Sequence, residues 1–440
     1  MERKFIANSH LFYSLIISVT IYIICCRIIK YPQYPSKANI KMESLGLQES
    51  DLYFYTEHNR VSNFDPDVIR QDALATRIVV HRLYPNLVDQ FLTVKRGVDG
   101  TSSTRQLYSQ NWTWQHQIRR LIEKRPLAFL NSADSTLFRD RTYQSRATTF
   151  WDSVGVEGSE YSNFQDYLSY DEIMLGSLMG VSGPSYFIND GDRNNSGEPG
   201  RAGTFESRGI IIGLVGARFE RQNKMDSNII LNNGRQDPLH PALMEAYNQY
   251  FGMTKSPNEI FDLPMYRARI AYTLEILLLE ANERAVEANK KAFVHVVGLG
   301  LGVWQYDRRQ TDAYVQALGE TLLALKGDLG SIGTIYMAWI STTQKYQETL
   351  TAIAQQQNIE VVFGKRNPAA KLTGSDAGKL LVISYAWDGN AFPGNEYWLG
   401  SLAASGDPAA ACMSTIPELH NPMVNPKFLD RIHVLQPRDP

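Results

Sequence analysis

Apolar runs alternate with amphipathic segments through the second half of the chain. The apolar runs are short and rich in β-branched residues, which is typical of buried strands, and they fall at residues 185–188, 209–215, 293–297, 332–339, 359–363 and 380–385. Segments with apolar residues at three- and four-residue spacing predict helices at residues 241–251, 266–292, 308–325 and 342–357. Strands alternating with helices predict an α/β fold, with a mainly parallel sheet and helices on both faces.

The first part of the chain has a different pattern. Residues 45–170 look mainly helical, so we expect three regions: a hydrophobic segment and linker (1–36), a mainly helical region (37–175) and the α/β domain (176–440). Residues 11–26 carry no charge, and residues 5–29 are about long enough to cross a bilayer. This predicts one N-terminal transmembrane helix that anchors the protein in a membrane, although a leader that is disordered or lies against the body is the alternative.

Composition narrows the class of protein. The chain has 440 residues, of which 43% are hydrophobic and 20% charged, and its net charge of −2 gives no basic surface for nucleic acid. Its three cysteines form neither a disulfide framework nor a zinc spacing. We therefore expect the soluble part to work in a reducing compartment, without structural zinc.

A glycine-rich turn follows the apolar run at residues 293–297. It consists of Gly298, Gly300, Leu301, Gly302, Val303 and Trp304, and a predicted helix comes after it. Glycine lets the backbone approach phosphate oxygens, and amides near a helix N-terminus attract anions. The spacing fits neither the dinucleotide-binding fingerprint nor the P-loop. A turn that binds no ligand is an equally good interpretation of these residues alone.

The first polar loop, residues 189–209, follows the predicted strand at 185–188. It is too long and polar for a simple connection. Its candidate ligand-binding residues are Asn189, Asn194, Arg201, Gly203 and Glu206, and its candidate catalytic carboxylates are Asp190 and Asp192. The alternative is a flexible surface loop.

A second segment, residues 215–227, follows the next strand. Asp226 is its candidate ligand-binding residue. Arg218 and Glu220 either face a ligand or form an ion pair with each other, and the sequence leaves both interpretations open.

A third loop begins at the end of the apolar run 380–385. Asp388 and Glu396 lie there among aromatic residues, where partial burial raises a carboxyl pKa and suits acid–base catalysis. Asn390, Gly394 and Asn395 are further candidates for ligand binding. The alternative is a loop that only packs the edge of the domain.

Taken together, these loops resemble the macro domain, an α/β fold that binds ADP-ribose. The turn from Gly298 to Trp304 matches its strand, G-x-G-x-aromatic, helix pattern, with Trp304 at the position next to the ribose. The combination of GLGLGVWQ, VGARFER and YAWDGNAFPGNEYW is similar to a bacterial effector family that includes MavL of Legionella. The resemblance implies a three-layer macro-domain-like fold and hydrolysis of ADP-ribose from modified proteins, with arginine-linked ADP-ribose on ubiquitin as the family substrate and secretion into a host cell.

The resemblance implies a catalytic arrangement. The glycine turn would hold the diphosphate, while Asp190 and Asp192 would bind the distal ribose and activate water, with Asp388 and Glu396 as the other candidates for acid or base. No cofactor is required, although Asp190, Asp192 and Asp388 could hold Mg²⁺ if they converge. Two rival hypotheses use the same residues: a reader that binds ADP-ribosylated proteins without turnover, and a membrane-tethered scaffold that recruits a host protein.

Overall fold

The computed structural model describes residues 41–232 and 239–437, and a large mixed sheet forms its centre. Eight strands lie in the order β11-β1-β5-β6-β10-β7-β8-β9. Their bounds are β1 Arg77–His81, β5 Met179–Tyr186, β6 Arg208–Leu214, β7 Ala292–Val297, β8 Ile332–Ala338, β9 Glu360–Gly364, β10 Leu380–Ala386 and β11 Ile432–Leu435. A separate three-stranded antiparallel sheet contains β2 Ala128–Leu130, β3 Ser135–Leu137 and β4 Tyr143–Gln144.

Strand direction decides which loops share an end of the large sheet. Strands β6, β10, β7, β8 and β9 are parallel, so all five finish at one end, here called the carboxyl end. Strand β5 is antiparallel to β6, and Tyr186 at its end lies opposite Arg208 at the start of β6. The loop after β5 therefore leaves from the opposite, amino end. The α/β fold is confirmed, but the sheet is mixed.

Fourteen helices are found in the described residues. They are α1 Pro66–Ala75, α2 Tyr84–Arg96, α3 Ser102–Leu107, α4 Trp114–Glu123, α5 Thr148–Ser153, α6 Tyr161–Asp166, α7 Tyr170–Gly176, α8 Asp226–Ile230, α9 Pro241–Phe251, α10 Leu263–Glu287, α11 Gln310–Ala324, α12 Gln344–Gln355, α13 Gly406–Met413 and α14 Ile416–Leu419. Short 3₁₀ helices occur at Met42–Leu45, Val61–Asn63, Gly374–Asp376, Asn395–Leu399 and Pro426–Asp430. The long helix α10 packs across most strands of the large sheet, and its apolar side chains form much of the core.

The region predicted to be mainly helical also contributes to the sheet. Strand β1 comes from this region and pairs with β5 and β11, because its residues Ile78, Val79 and Val80 are apolar and β-branched and lie fully buried. The predicted boundaries between regions, at residues 36 and 175, remain predictions.

The predicted membrane anchor needs correction. The hydrophobic run at residues 11–26 lies outside the described residues. Across the ranges that the structure describes, no helix combines the length and apolar character needed to cross a membrane. This finding contradicts the membrane localisation predicted from the sequence.

Candidate active site at the carboxyl end of the sheet

Three loops meet at the carboxyl end, and glycine permits their close contact. A Cβ atom on Gly216, after β6, would lie 2.3 Å from the backbone nitrogen of Gly300, after β7. A Cβ atom on Gly389, after β10, would lie 2.6 Å from a side-chain carbon of Val215. Gly300 also has a φ of +75°, which favours glycine. The loops after β6, β7 and β10 therefore form one surface.

The glycine turn, residues 298–304, presents free backbone donors on this surface. Within the described ranges, the N–H groups of Gly302, Val303 and Trp304 donate to no protein acceptor. Further along the chain, the backbone N–H groups of Tyr306 and Asp307 are already used, because both donate to the side chain of Gln310, at 2.6 and 2.7 Å. Gln310 is the first residue of α11. Consecutive free N–H groups before a helix suit an anion.

Gly298 and Leu301 shape this turn from within. The side chain of Leu301 folds over Gly298, where an added Cβ would lie 3.0 Å from it. Gly298 and Leu301 thus have packing roles, and their predicted contact with a ligand remains a prediction.

An acidic cluster, Asp388, Glu396 and Asp407, lies beside the turn. Asp388 accepts a hydrogen bond from the side-chain amide of Asn395. Asp407, on α13, is 1% exposed and accepts from the backbone N–H of Gly394 at 2.7 Å. The Oε2 atom of Glu396 is buried and has no partner among the described residues. The cluster therefore contains an acceptor that a ligand or water can use.

The surroundings raise the pKa of every member of the cluster. Burial raises the pKa of Asp388 to about 6, and the nearby Arg218 guanidinium limits the rise. Burial, followed by the charge of Asp388, raises the pKa of Glu396 to about 8. The pKa of Asp407 is raised well above its usual value, first by burial and then by Asp388 and Glu396. Near neutral pH, Asp388 ionises more readily than Glu396, which holds its proton.

Two asparagines fasten the third loop to the small sheet. Asn395 accepts from the backbone N–H of Phe129 at 2.8 Å and donates to its carbonyl oxygen at 3.2 Å. Asn390 donates to the same carbonyl oxygen at 3.4 Å, while its own Oδ1 atom is buried without a partner. Gly394 has a φ of +106° and its N–H binds Asp407. Asn395 and Gly394 hold the loop, and Asn390 offers a free acceptor.

Arg218, after β6, reaches the same surface and is 3% exposed. Its Nε atom donates to Glu220 at 2.9 Å, so the ion pair considered from the sequence is present. Its guanidinium carbon lies 5.0 Å from the ring centre of Trp304 and 5.4 Å from that of Phe129. Trp304 thus packs against a cation next to the acidic cluster.

Asp226 lies beneath this segment. It is buried, pairs with Arg269 at 3.0 Å and accepts from the backbone N–H of Arg218 at 2.9 Å. These contacts give Asp226 a structural role in holding the loop after β6, and its predicted ligand contact remains a prediction.

The first polar loop leaves the sheet at its amino end and then packs against α13. Asp190 accepts from the side chain of Asn367 at 3.0 Å, and the carboxylate of Asp192 accepts from the backbone N–H of Asn194 at 2.9 Å. No hydrogen bond or ion pair in the described parts of the chain joins Asp190 or Asp192 to the acidic cluster. The loop packs against the segment that carries Asp407: Arg193 pairs with Ala404, just before α13, and Asn195 donates to the carbonyl oxygen of Ala409, on α13, at 3.0 Å. Asp190, Asp192 and Asp388 do not form a group of ligand atoms within 4.8 Å of one another in the described residues, so a shared Mg²⁺ site is not supported, whereas the catalytic roles of Asp190 and Asp192 remain predictions.

The other candidates in this loop have mixed surroundings. Asn189 is buried and donates to the carbonyl oxygen of Glu198 at 2.9 Å, and Glu206 pairs with Lys371 at 3.0 Å. Asn194 and Arg201 are exposed, and Gly203 has open space around it. Only these last three residues are free for an approaching ligand.

Two residues of the site were not predicted. They are Asp407 and Phe129, which come from distant parts of the chain. Asp407 had one usable signal, because it is an acidic residue in the first turn of a helix, after Ser405 and Gly406. Phe129 had none, since a single aromatic residue in a short apolar run indicates only a core.

A different group satisfies the spacing of a metal site. Glu280, Glu283 and His433 have potential ligand atoms within 4.8 Å of one another. Arg77 and Arg284 already donate to Glu280, and Arg77 also pairs with Glu283. The positive charges of Arg77 and Arg284 would repel a metal ion bound to the same carboxylates, so these residues do not fit Mg²⁺. In the described residues, no group of three metal-ligating side chains includes a member of the acidic cluster.

The chain is similar to known proteins along most of its length. A family model described as "ADP-ribosylhydrolase MavL-like" matches residues 47–240 and 231–438. The chain is 33% identical over 362 residues to ADP-ribosylarginine hydrolase CG2909 of Drosophila melanogaster, which covers 73% of this chain and 71% of the relative. It is 32% identical over 406 residues to ADP-ribosylarginine hydrolase CG3568 of the same organism, covering 83% and 78%.

Proposed function

The chain belongs to the MavL-like ADP-ribosylhydrolase family, and we propose that it releases ADP-ribose from arginine side chains of modified proteins. The relatives support an enzyme that hydrolyses ADP-ribose. The observation that carries the arginine linkage is the acidic cluster, because three carboxyl groups with raised pKa values are stabilised in their ionised form by a cation. The substituted guanidinium of ADP-ribosylarginine supplies that cation.

The ligand would lie across the carboxyl end of the sheet in the manner of a macro domain. The free N–H groups from Gly302 to Trp304 would bind the diphosphate, and the ring of Trp304 would border the distal ribose. This orientation directs the C1″ carbon of that ribose towards Asp388 and Glu396. The free oxygen of Asn390 would accept from a hydroxyl or amino group of the substrate.

Asp388 and Glu396 would divide the chemistry between them. Ionised Asp388 takes a proton from water, whose oxygen forms a bond to C1″ as the bond from C1″ to the guanidine nitrogen breaks. The departing neutral guanidine then receives the proton from Asp388 and leaves as a guanidinium ion. Glu396, protonated near neutral pH, would use its Oε2 atom, unpartnered within the described residues, to donate a hydrogen bond to the attacking water.

The charge of the site favours the arginine linkage over others. Glutamate- and serine-linked ADP-ribose place a neutral ester or ether at C1″, so the acidic cluster gains no cation from them. The protein that carries the modified arginine is a separate question. Ubiquitin, which the family resemblance implies, is the first candidate to test.

Release of ADP-ribose by the purified full-length protein tests this proposal. Proteins carrying arginine-, glutamate- or serine-linked ADP-ribose, including arginine-modified ubiquitin, are incubated with enzyme, and free ADP-ribose is measured by chromatography. We expect release from the arginine-linked substrates at a rate well above that from the others. Tight binding of ADP-ribose with no release from any substrate would favour the reader hypothesis and contradict the proposal.

A further inference from the structure

Arg218 carries a buried donor that the protein leaves unused. Its Nε and Nη2 atoms donate to Glu220, but its Nη1 atom is buried and has no acceptor among the described residues. A buried cationic N–H group without an acceptor is costly, and native proteins rarely retain one without a reason. The ion pair explains two of the nitrogen atoms and leaves the third unexplained.

The surroundings fix this guanidinium in place. The backbone N–H of Arg218 binds Asp226, which in turn pairs with fully buried Arg269. The rings of Phe129 and Trp304 both lie near its guanidinium, and cation–π contacts of this kind stabilise one orientation. The free donor is therefore presented by a rigid group, and little conformational entropy is lost when it binds an acceptor.

The position of Arg218 indicates which acceptor it would take. Trp304, which the guanidinium contacts, belongs to the glycine turn with its free N–H groups. The charge of Arg218 also acts on Asp388, so the guanidinium lies near both the turn and the acidic cluster. An acceptor that bridges these two places joins the diphosphate to the reacting ribose. Guanidinium groups bind phosphate oxygens with strong, charge-assisted hydrogen bonds.

We propose that Arg218 is a ligand-binding residue whose Nη1 atom donates to a phosphate oxygen of the ADP-ribose diphosphate. The inference rests on the proposed function, because it takes ADP-ribose as the ligand. It assigns Arg218 a role beyond its pairing with Glu220, and it makes the loop after β6 a second wall of the phosphate site, opposite the glycine turn.

The variant Arg218→Lys tests the role. Lysine keeps the positive charge for Glu220 but lacks the third nitrogen and the planar fork. Arg208→Lys is the matched control, because Arg208 also pairs with a carboxylate, Asp72, and lies over an aromatic ring, that of Tyr186, but at the amino end of the sheet. Calorimetry measures the affinity of the full-length variants for ADP-ribose, ADP and adenosine, and circular dichroism verifies the fold.

We expect Arg218→Lys to bind ADP-ribose and ADP about 10- to 100-fold more weakly, because the loss of one hydrogen bond to a charged group lowers affinity by about this factor. The affinity for adenosine should not change, because adenosine has no phosphate. Arg208→Lys should match the wild type for all three ligands. Unchanged ADP-ribose affinity in folded Arg218→Lys, or an equal loss for adenosine, would overturn the inference. The release assay on wild-type protein separates the two proposals, because hydrolysis by the wild type together with unchanged binding by Arg218→Lys rejects only the role of Arg218.

Discussion

Two carboxyl groups on one short loop, Asp388 and Glu396, are kept partly protonated by their surroundings. Burial weakens the solvation that an ionised carboxylate needs. Proteins tolerate such groups where chemistry requires them, because a carboxyl pKa near neutral pH suits proton transfer. The burial of these two carboxyl groups thus lowers the stability of the folded protein at neutral pH and favours proton transfer.

The pH dependence of stability tests this assignment at Glu396. Its pKa is raised in the folded protein, so between about pH 4.5, the ordinary value, and about 8 the folded state binds more protons than the unfolded state. Stability therefore falls as pH rises through this window and changes no further above it. We expect Glu396→Gln, which cannot ionise, to become progressively more stable than the wild type from pH 5 to pH 8.5 in urea unfolding.

Glu348→Gln is the matched control for this measurement. Glu348 is exposed on α12 and accepts a hydrogen bond from the side chain of Gln344 on the same helix, so its substitution should change stability little at any pH. A difference between Glu396→Gln and the wild type that stays constant across the range would show that Glu396 ionises as freely in the folded protein as in the unfolded chain.

At the scale of elements, the glycine turn between β7 and α11 contains two kinds of glycine, one that the fold requires and one that is exposed. Gly300 is required by the fold, since an added Cβ would lie 2.9 Å from the carbonyl oxygen of Ala217 and its φ is +75°. Gly302 has no atom within 4 Å of such a Cβ. A substitution at Gly302 can therefore report on ligand binding without disturbing the fold.

Gly302→Glu should weaken ADP-ribose binding at least about tenfold, because its carboxylate would occupy the space next to the free N–H groups and repel the diphosphate. Gly330→Glu is the control: Gly330 is equally unhindered but precedes β8 at the amino end of the sheet. Calorimetry on both variants makes the comparison. Equal affinities in the two folded variants would mean that the diphosphate does not bind at the glycine turn.

The same scale shows what the sequence could reveal. The apolar runs that predicted β6 and β10 contain Ile210–Ile212 and Leu381–Ile383, and the run that predicted β7 contains Phe293, Val294 and Val296. All three strands formed where expected, because burial on both faces favours apolar residues on both faces. The third loop followed directly from β10, so Asp388 and Glu396 were found with it. The sequence did not indicate Asp407, because this residue lies on a separate helix, α13, and its contact with the third loop depends on how that helix packs.

At the scale of the whole molecule, strand direction decides which loops can share a site. An apolar run does not reveal whether its strand is parallel or antiparallel to its neighbour. The run before Asn189 is predicted as a strand of a mainly parallel sheet, but β5 is antiparallel to β6, so the first polar loop leaves the sheet at its amino end and reaches the α13 segment through Arg193 and Asn195. The catalytic roles of Asp190 and Asp192 remain predictions.

The central claim is that Asp388, at the carboxyl end of the sheet, performs the chemistry. The most direct test compares the hydrolysis rate of Asp388→Asn with that of Asp192→Asn on arginine-linked ADP-ribosylated protein. Each variant is also titrated with ADP-ribose. We expect Asp388→Asn to lose about 10²- to 10⁴-fold in rate while retaining ADP-ribose affinity within about tenfold, because the carboxylate acts mainly in the transition state. Asp192→Asn should keep most of the rate. Full activity in Asp388→Asn together with loss in Asp192→Asn would contradict the account and assign catalysis to the first polar loop.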